Sequence, residues 1–183
     1  MTTPATKLTY HDYLQLPEDG KRYEIMDGEL YMTPAPLTRH QQISVRLSQL
    51  LMNYLDTHPI GQVFAAPTDV LLSDNDVVEP DLLLVLHDGA ARITEKNVQG
   101  PPDLVIEILS PGTAARDLDL KRKRYEHFGV REYWLVDPDQ NRLEILAPAE
   151  EGRLRRLSRI TRPEHCTSPL LPDLILDLAR LLK

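Results

Sequence analysis

The chain has a single cysteine, Cys166, so no disulfide can form within it and a disulfide-stapled fold is excluded. It has no uninterrupted apolar run of about eighteen residues, the length a membrane-crossing helix needs. The amino terminus, MTTPATKLTYHDYL, lacks the apolar stretch of a secretory signal. Positive charge is not in excess: 21 Lys and Arg against 28 Asp and Glu leave a formal net charge of -7. That balance argues against a protein that coats nucleic acid through summed phosphate contacts. Repeats and low-complexity linkers are absent as well. These absences lead us to expect a soluble protein of the reducing cytoplasm, with no membrane anchor.

What the chain does have is apolar content, 42% of 183 residues, enough for one domain over residues 1-183 to bury a core without staples. The 15 prolines fall mainly between periodic segments, where they punctuate rather than disrupt. Two basic clusters, Lys121 to Arg124 and Arg153 to Arg159, read on their own as solvated faces. If a phosphate-contacting surface exists, Arg153, Arg155 and Arg156 are the first candidates for it.

Element order follows from periodicity. Tyr23 to Met32 carries Asp27-Gly28 between two β-prone runs, which predicts a hairpin. Ile43, Leu47, Leu50, Leu51 and Tyr54 stand at helical spacing within Thr38 to His58, with Thr38 as a cap. Gln62 to Leu72, Val77 to Leu86 and Asp103 to Leu109 read as three strands. Thr113 to Phe128 reads as a helix capped by Thr113 and stopped by Gly129, Glu132 to Asp137 as a buried strand, and Asp173 to Leu182 as a short final helix after a further hairpin. The order predicts an α/β fold with a mixed β-sheet flanked by helices and an αβββαβ core. The three successive strands form an antiparallel meander, and the strand after the second helix rejoins by a crossover.

One strand poses a question. In Pro102-Asp-Leu-Val-Ile-Glu-Ile-Leu-Ser110, Glu107 shares a face with Val105 and Leu109 while Leu104, Ile106 and Ile108 cover the other. Neither face looks like solvent. An unpartnered carboxylate there costs on the order of several kcal/mol, so it needs a cation, backbone amides or a proton. On a wheel of about 100° per residue, Ala114, Leu118, Tyr125 and Phe128 form the apolar stripe of the second helix, and Lys121 lies inside it. Asp81, opening the apolar run of the preceding strand, can project to the same side as Glu107. Two carboxylates on neighbouring strands, with backbone carbonyls and water, suit Mg²⁺ or Mn²⁺. A lysine beside them would complete a hydrolytic site. The blander alternatives are a buried structural pair between Glu107 and Lys121, and an Asp81 bonded to local amides.

Together, DGEL at Asp27 to Leu30, His40-Gln41, EPDLLLV, PDLVIEILSPGT, the Asp117-x3-Lys121-x3-Tyr125 ladder and GVREYWLVDP resemble the Uma2 family, also called DUF820. The resemblance covers roughly residues 8 to 180. It implies the restriction endonuclease-like fold of the PD-(D/E)xK superfamily and a metal-dependent phosphodiesterase core acting on DNA. Pro80-Asp81 matches the PD element and Glu107 the acidic residue of the second element. Leu109 stands where that element usually has lysine, and Lys121 matches a lysine migrated to the following helix. DGEL adds Glu29 as a further candidate, and His40, on the apolar stripe of the first helix, is another. Nucleases of this fold often act as dimers, which implies a homodimer.

The expectation is therefore a DNA endonuclease in which Asp81 and Glu107 bind the metal and Lys121 assists water. A catalytically degenerate nuclease fold, binding nucleic acid or protein, is the alternative. A metal-free hydrolase with two carboxylates is a third reading that the nearby lysine disfavours.

Overall fold

The computed structural model describes residues 7–149 and 152–183, so the first six residues of the amino-terminal stretch considered above lie outside it. A short helix α1 (Tyr10–Tyr13) precedes the hairpin β1 (Arg22–Met26) and β2 (Glu29–Thr33). Asp27 and Gly28 form its two-residue turn, both with positive φ (52° and 80°), the backbone that Asp-Gly favours. The long helix α2 (Thr38–Thr57) follows, then β3 (Gly61–Ala65), β4 (Val70–Ser73), β5 (Asp76–Val78), β6 (Leu82–Leu86), β7 (Arg92–Ile93), β8 (Val98–Gln99) and β9 (Leu104–Ile108). A π-helical turn at Arg116–Lys121 leads into α3 (Arg122–Phe128), which Gly129 ends in the left-handed conformation. The remainder is β10 (Glu132–Asp137), β11 (Arg142–Pro148), β12 (Leu154–Thr161), β13 (His165–Thr167), β14 (Ile175–Asp177) and α4 (Leu178–Leu181).

The main mixed sheet has the order β12-β11-β10-β9-β6-β3. Strands β3, β6 and β9 form the expected antiparallel meander, and β10 joins parallel to β9 after the helical crossover. Its even-numbered β6 and β9 residues Leu82, Leu84, Leu104, Ile106 and Ile108 pack beneath α2 and the carboxy-terminal segment. Leu83, Val85, Val105 and Leu109 turn the other way, towards Tyr125 of α3 and Val70, Val78 and Val98 of a second sheet ordered β2-β1-β5-β4-β8-β7. The α/β class and the mixed sheet flanked by helices are as the sequence predicted.

Five details depart from the sequence expectation. Gln62–Leu72 is not one strand: β3 belongs to the main sheet and β4 to the second, because Pro67 has no N–H to continue the ladder. Val77–Leu86 breaks in the same way at Pro80, so Glu79-Pro80-Asp81 is the crossing from β5 in the second sheet to β6 in the main one. The helix over Thr113–Phe128 is not uniform. The π-helical turn shifts the inward face, leaving Leu118 42% exposed while Asp117, Lys121 and Tyr125 are buried against the sheet. Finally, Asp173–Leu182 is helical only from Leu178; β14 precedes it, and Asp177 caps the helix by accepting from the Ala179 and Arg180 amides. Thr38 likewise starts α2 without a side-chain cap, Leu37 occupying the cap position.

Candidate active site

The sheet crossing and the helical crossover converge on one end of the main sheet. Leu82 pairs with Ile106, so stepping one residue back on β6 and one forward on β9 sets Asp81 beside Glu107. The Asp81 carboxylate is held there: Oδ2 accepts the Ile108 amide at 2.8 Å and faces His40 Nε2 at 3.0 Å. His40 comes from the first turn of α2, which passes over this end of the sheet. Glu107 Oε1 accepts both the Lys121 ammonium and the Tyr125 hydroxyl at 2.9 Å each. Glu107 Oε2 and Asp81 Oδ1 take no hydrogen bond among the described residues, and both side chains line an open cleft of about 260 Å³.

Two carboxylates that the sequence reading did not single out complete the cluster. Glu24 of β1 reaches Lys121 Nζ at 2.8 Å, and Asp117 lies 3.7 Å from the same nitrogen. Arg116 approaches the far side of Glu24 at 3.4 Å. Asp117 Oδ1 is buried without a hydrogen-bond partner among the described residues, a rare and costly state. Asp117 carried a weak signal, standing four residues before Lys121, one helical turn away. Nothing along the chain marked Glu24, which sits on the hairpin strand β1.

The electrostatics follow from the crowding. Burial drives the Glu107 carboxyl well above the ordinary glutamate value; Lys121 opposes this, while Asp117, Asp81 and Glu24 add to it. Asp117 is raised for the same reasons, burial first and Lys121 opposing. Burial also pushes Glu24 up, but Lys121, the Glu79 amide and Arg116 outweigh it and hold Glu24 below its ordinary value. For Lys121 burial favours the neutral amine, yet Glu107, Glu24 and Asp117 together raise it, so it is an ammonium at neutral pH. Tyr125 and Tyr133 are raised well above the usual phenol value by burial and by Glu107. Among the described residues the five carboxylates Glu24, Glu79, Asp81, Glu107 and Asp117 face Lys121, Arg116 and Arg22, an excess of two negative charges when all are ionised.

That excess, the partnerless Asp117 oxygen and an all-oxygen donor set fit a hard divalent cation of the Mg²⁺ or Mn²⁺ class. Among the described residues no three His, Cys, Asp or Glu side chains converge as a ready-made cage. A cation here would be held by Asp81 and Glu107, each of which lines the cleft with one free oxygen, with carbonyls and water completing the shell.

The remaining candidates fall elsewhere. Glu29 is not brought to the cluster: it directly follows the Asp27-Gly28 turn, is exposed, and accepts the Tyr31 hydroxyl at 2.7 Å. Arg153 is exposed ahead of β12. Arg155 and Arg156, adjacent on β12, project to opposite faces. Arg156 joins Arg142 and Arg159 around Glu144, at 3.6, 3.5 and 3.3 Å. This group lies on the same face as the site: Glu107 pairs with Leu135, Leu135 with Glu144, and Glu144 with Arg159. Three strand spacings separate Glu107 from Arg159, about 14 Å. Leu109, in the usual lysine position, is buried in the core.

Comparison with known proteins agrees with the fold. The model of the Uma2 family, described as "Putative restriction endonuclease", matches residues 10–179. A protein of Synechocystis described only as uncharacterised, slr1290, is 28% identical over 156 residues, covering 82% of this chain and 80% of its own. A crystal structure from Anabaena variabilis, described as a putative nuclease belonging to DUF820, superposes with a TM-score of 0.79 at 20% identity, over 96% of this chain and 97% of that one. No helix among the described residues is long and apolar enough to cross a membrane.

Proposed function

This chain belongs to the Uma2 family, and from that membership together with the buried cluster we propose that it is a Mg²⁺- or Mn²⁺-dependent DNA endonuclease of the cytoplasm. The observation that carries the reading is the contact of Lys121 Nζ with Glu107 Oε1 at 2.9 Å, beside Asp81 in an open cleft. Lys121 thus stands in for the lysine that Leu109 replaces.

Each side chain has a task that its surroundings support. Asp81 and Glu107 would hold the cation, each having one carboxylate oxygen without a hydrogen bond among the described residues. What a cation supplies there is positive charge for a phosphoryl oxygen and a more acidic water. The His40 contact and the Ile108 amide fix the Asp81 carboxylate in one orientation. Tyr125 and Lys121 do the same for Glu107. Because its carboxylate neighbours keep Lys121 protonated, it acts as a hydrogen-bond donor and not as a base. It orients the attacking water and offsets the negative charge that builds up on the phosphorus oxygens. A cut through both strands calls for two such sites, which favours a homodimer; light scattering in solution reads the mass directly.

Nicking of supercoiled plasmid tests the assignment. Wild type should nick with Mn²⁺ or Mg²⁺ and stop with chelator, and Glu107→Gln and Lys121→Ala should be inactive. Equal nicking by all three proteins would overturn it. Saturable DNA binding with no cation-dependent cutting would favour the binding-module reading instead.

A further inference from the structure

A phosphodiester entering the cleft meets a wall of carboxylates, so something besides a metal must attract its charge. Lys121 gives two of its three N–H groups to Glu24 at 2.8 Å and Glu107 at 2.9 Å, with Asp117 at 3.7 Å, which leaves one for the attacking water and none to spare for docking the backbone. The other permanent cation lining the cleft is Arg22, at the start of β1. One edge of its guanidinium is anchored to the residue just before Pro80-Asp81: Nε donates to Glu79 Oε2, and Nη2 donates to the Glu79 carbonyl at 3.1 Å. Glu79 is itself held by the Tyr13 hydroxyl, at 3.3 Å. Nη1 of Arg22 takes no partner among the described residues and is not among the sealed-off polar atoms, so its N–H groups remain open. The side chain is 22% exposed, buried enough to be held in one plane and open enough to be reached.

We infer that Arg22 grips a non-bridging phosphate oxygen of bound nucleic acid through Nη1, and that Glu79 is the positioning residue that aims it. The inference rests on the nuclease reading and adds the residue that recognises the substrate's backbone. The planar fork matters here. A guanidinium can give one edge to Glu79 and another to phosphate, whereas an ammonium in its place could not span both. Glu79 also ties the phosphate contact to Asp81 through two chain bonds, so grip and cation site move together.

The test uses the full chain with Ca²⁺ in place of Mg²⁺, to permit binding of a fluorescent DNA duplex without cutting. Arg22→Gln and Arg22→Lys should both weaken duplex binding roughly tenfold, the value of a charge-assisted hydrogen bond. The slope of log affinity against log salt should fall by about one for Arg22→Gln and stay near wild type for Arg22→Lys, which keeps the charge. Mn²⁺ affinity, measured calorimetrically without DNA, should be unchanged in Arg22→Lys, which keeps the positive charge near Asp81. Glu79→Gln, which keeps Arg22 but loosens its anchor, should weaken binding without changing the salt slope. Wild-type duplex affinity in Arg22→Lys, the variant that retains an ion pair with Glu79, would make Arg22 a structural clamp and overturn the assignment while leaving the nuclease reading intact. A wild type that binds Mn²⁺ but no DNA would overturn both.

Discussion

Glu107 and Glu132 are two buried glutamates on neighbouring strands of one sheet, 3% and 2% exposed, and they are kept there in opposite ways. Glu132, at the start of β10, accepts from Trp134 Nε1 at 2.7 Å, Ser168 Oγ at 2.8 Å and the Leu170 amide at 2.8 Å, using both oxygens. Its donors are neutral and fixed, and they tie the carboxy-terminal segment to the sheet. Glu107, near the other end of β9 and on the other face, has both donors on one oxygen and the second oxygen on a cleft, among three more carboxylates. Burial alone therefore does not set the two glutamates apart. Incomplete satisfaction beside an opening does.

The sharpest way to break the comparison is to replace each glutamate in turn. Glu107→Gln should lower nicking by about a hundredfold to a thousandfold, the scale of losing one preorganised electrostatic group, without lowering the melting temperature at neutral pH. Glu132→Ala should do the reverse. It strands three donors at about 1 kcal/mol or more each, so denaturant unfolding should report a loss of roughly 3 kcal/mol, with activity per folded molecule retained.

A smaller effect is the pH dependence of stability. The native Glu107 carboxyl is raised above the 4.5 of an ordinary glutamate, so above that pH the unfolded chain has released a proton that the native state keeps. Metal-free stability should therefore decline as pH rises from about 4.5 towards the native value. The decline should flatten in Glu107→Gln, as followed by urea unfolding from acid to neutral pH. An equally steep decline in that variant would assign the dependence to another group.

The smallest effect separates the two faces of β12. Arg156→Gln, on the face shared with Glu107, should reduce duplex affinity and the salt slope by less than one unit, because Glu144 already offsets part of its charge. Arg155→Gln, on the opposite face, should change neither.

How much of this was legible in the sequence depended on whether a residue's partner lay along the chain or across the fold. The Glu107-Lys121 contact could be read because a strand, a tight turn and two helical turns fix the geometry over fourteen residues. The meander and the parallel return of β10 followed from apolar runs and connection lengths. Hydrophobic periodicity did not show that Pro67 and Pro80 divide two strands between two sheets, since apolar, β-prone residues stand on both sides of each proline. Nor did the wheel foresee the π-helical turn. It put Leu118 inside, and Lys121 was still placed correctly because both helix forms turn it towards the sheet. Glu24 was invisible because β1 belongs to the second sheet, and its approach to Lys121 across 97 residues is tertiary. Glu29, five residues later in the hairpin, carried the motif but not the position.

The central claim is that the unsatisfied carboxylate cluster is a cation site and the satisfied one is not. A crystal soaked in Mn²⁺ and measured for anomalous scattering tests it most directly. The account predicts a peak between Asp81 and Glu107 and none near Glu132. A map without that peak, at manganese concentrations that support nicking, would contradict it.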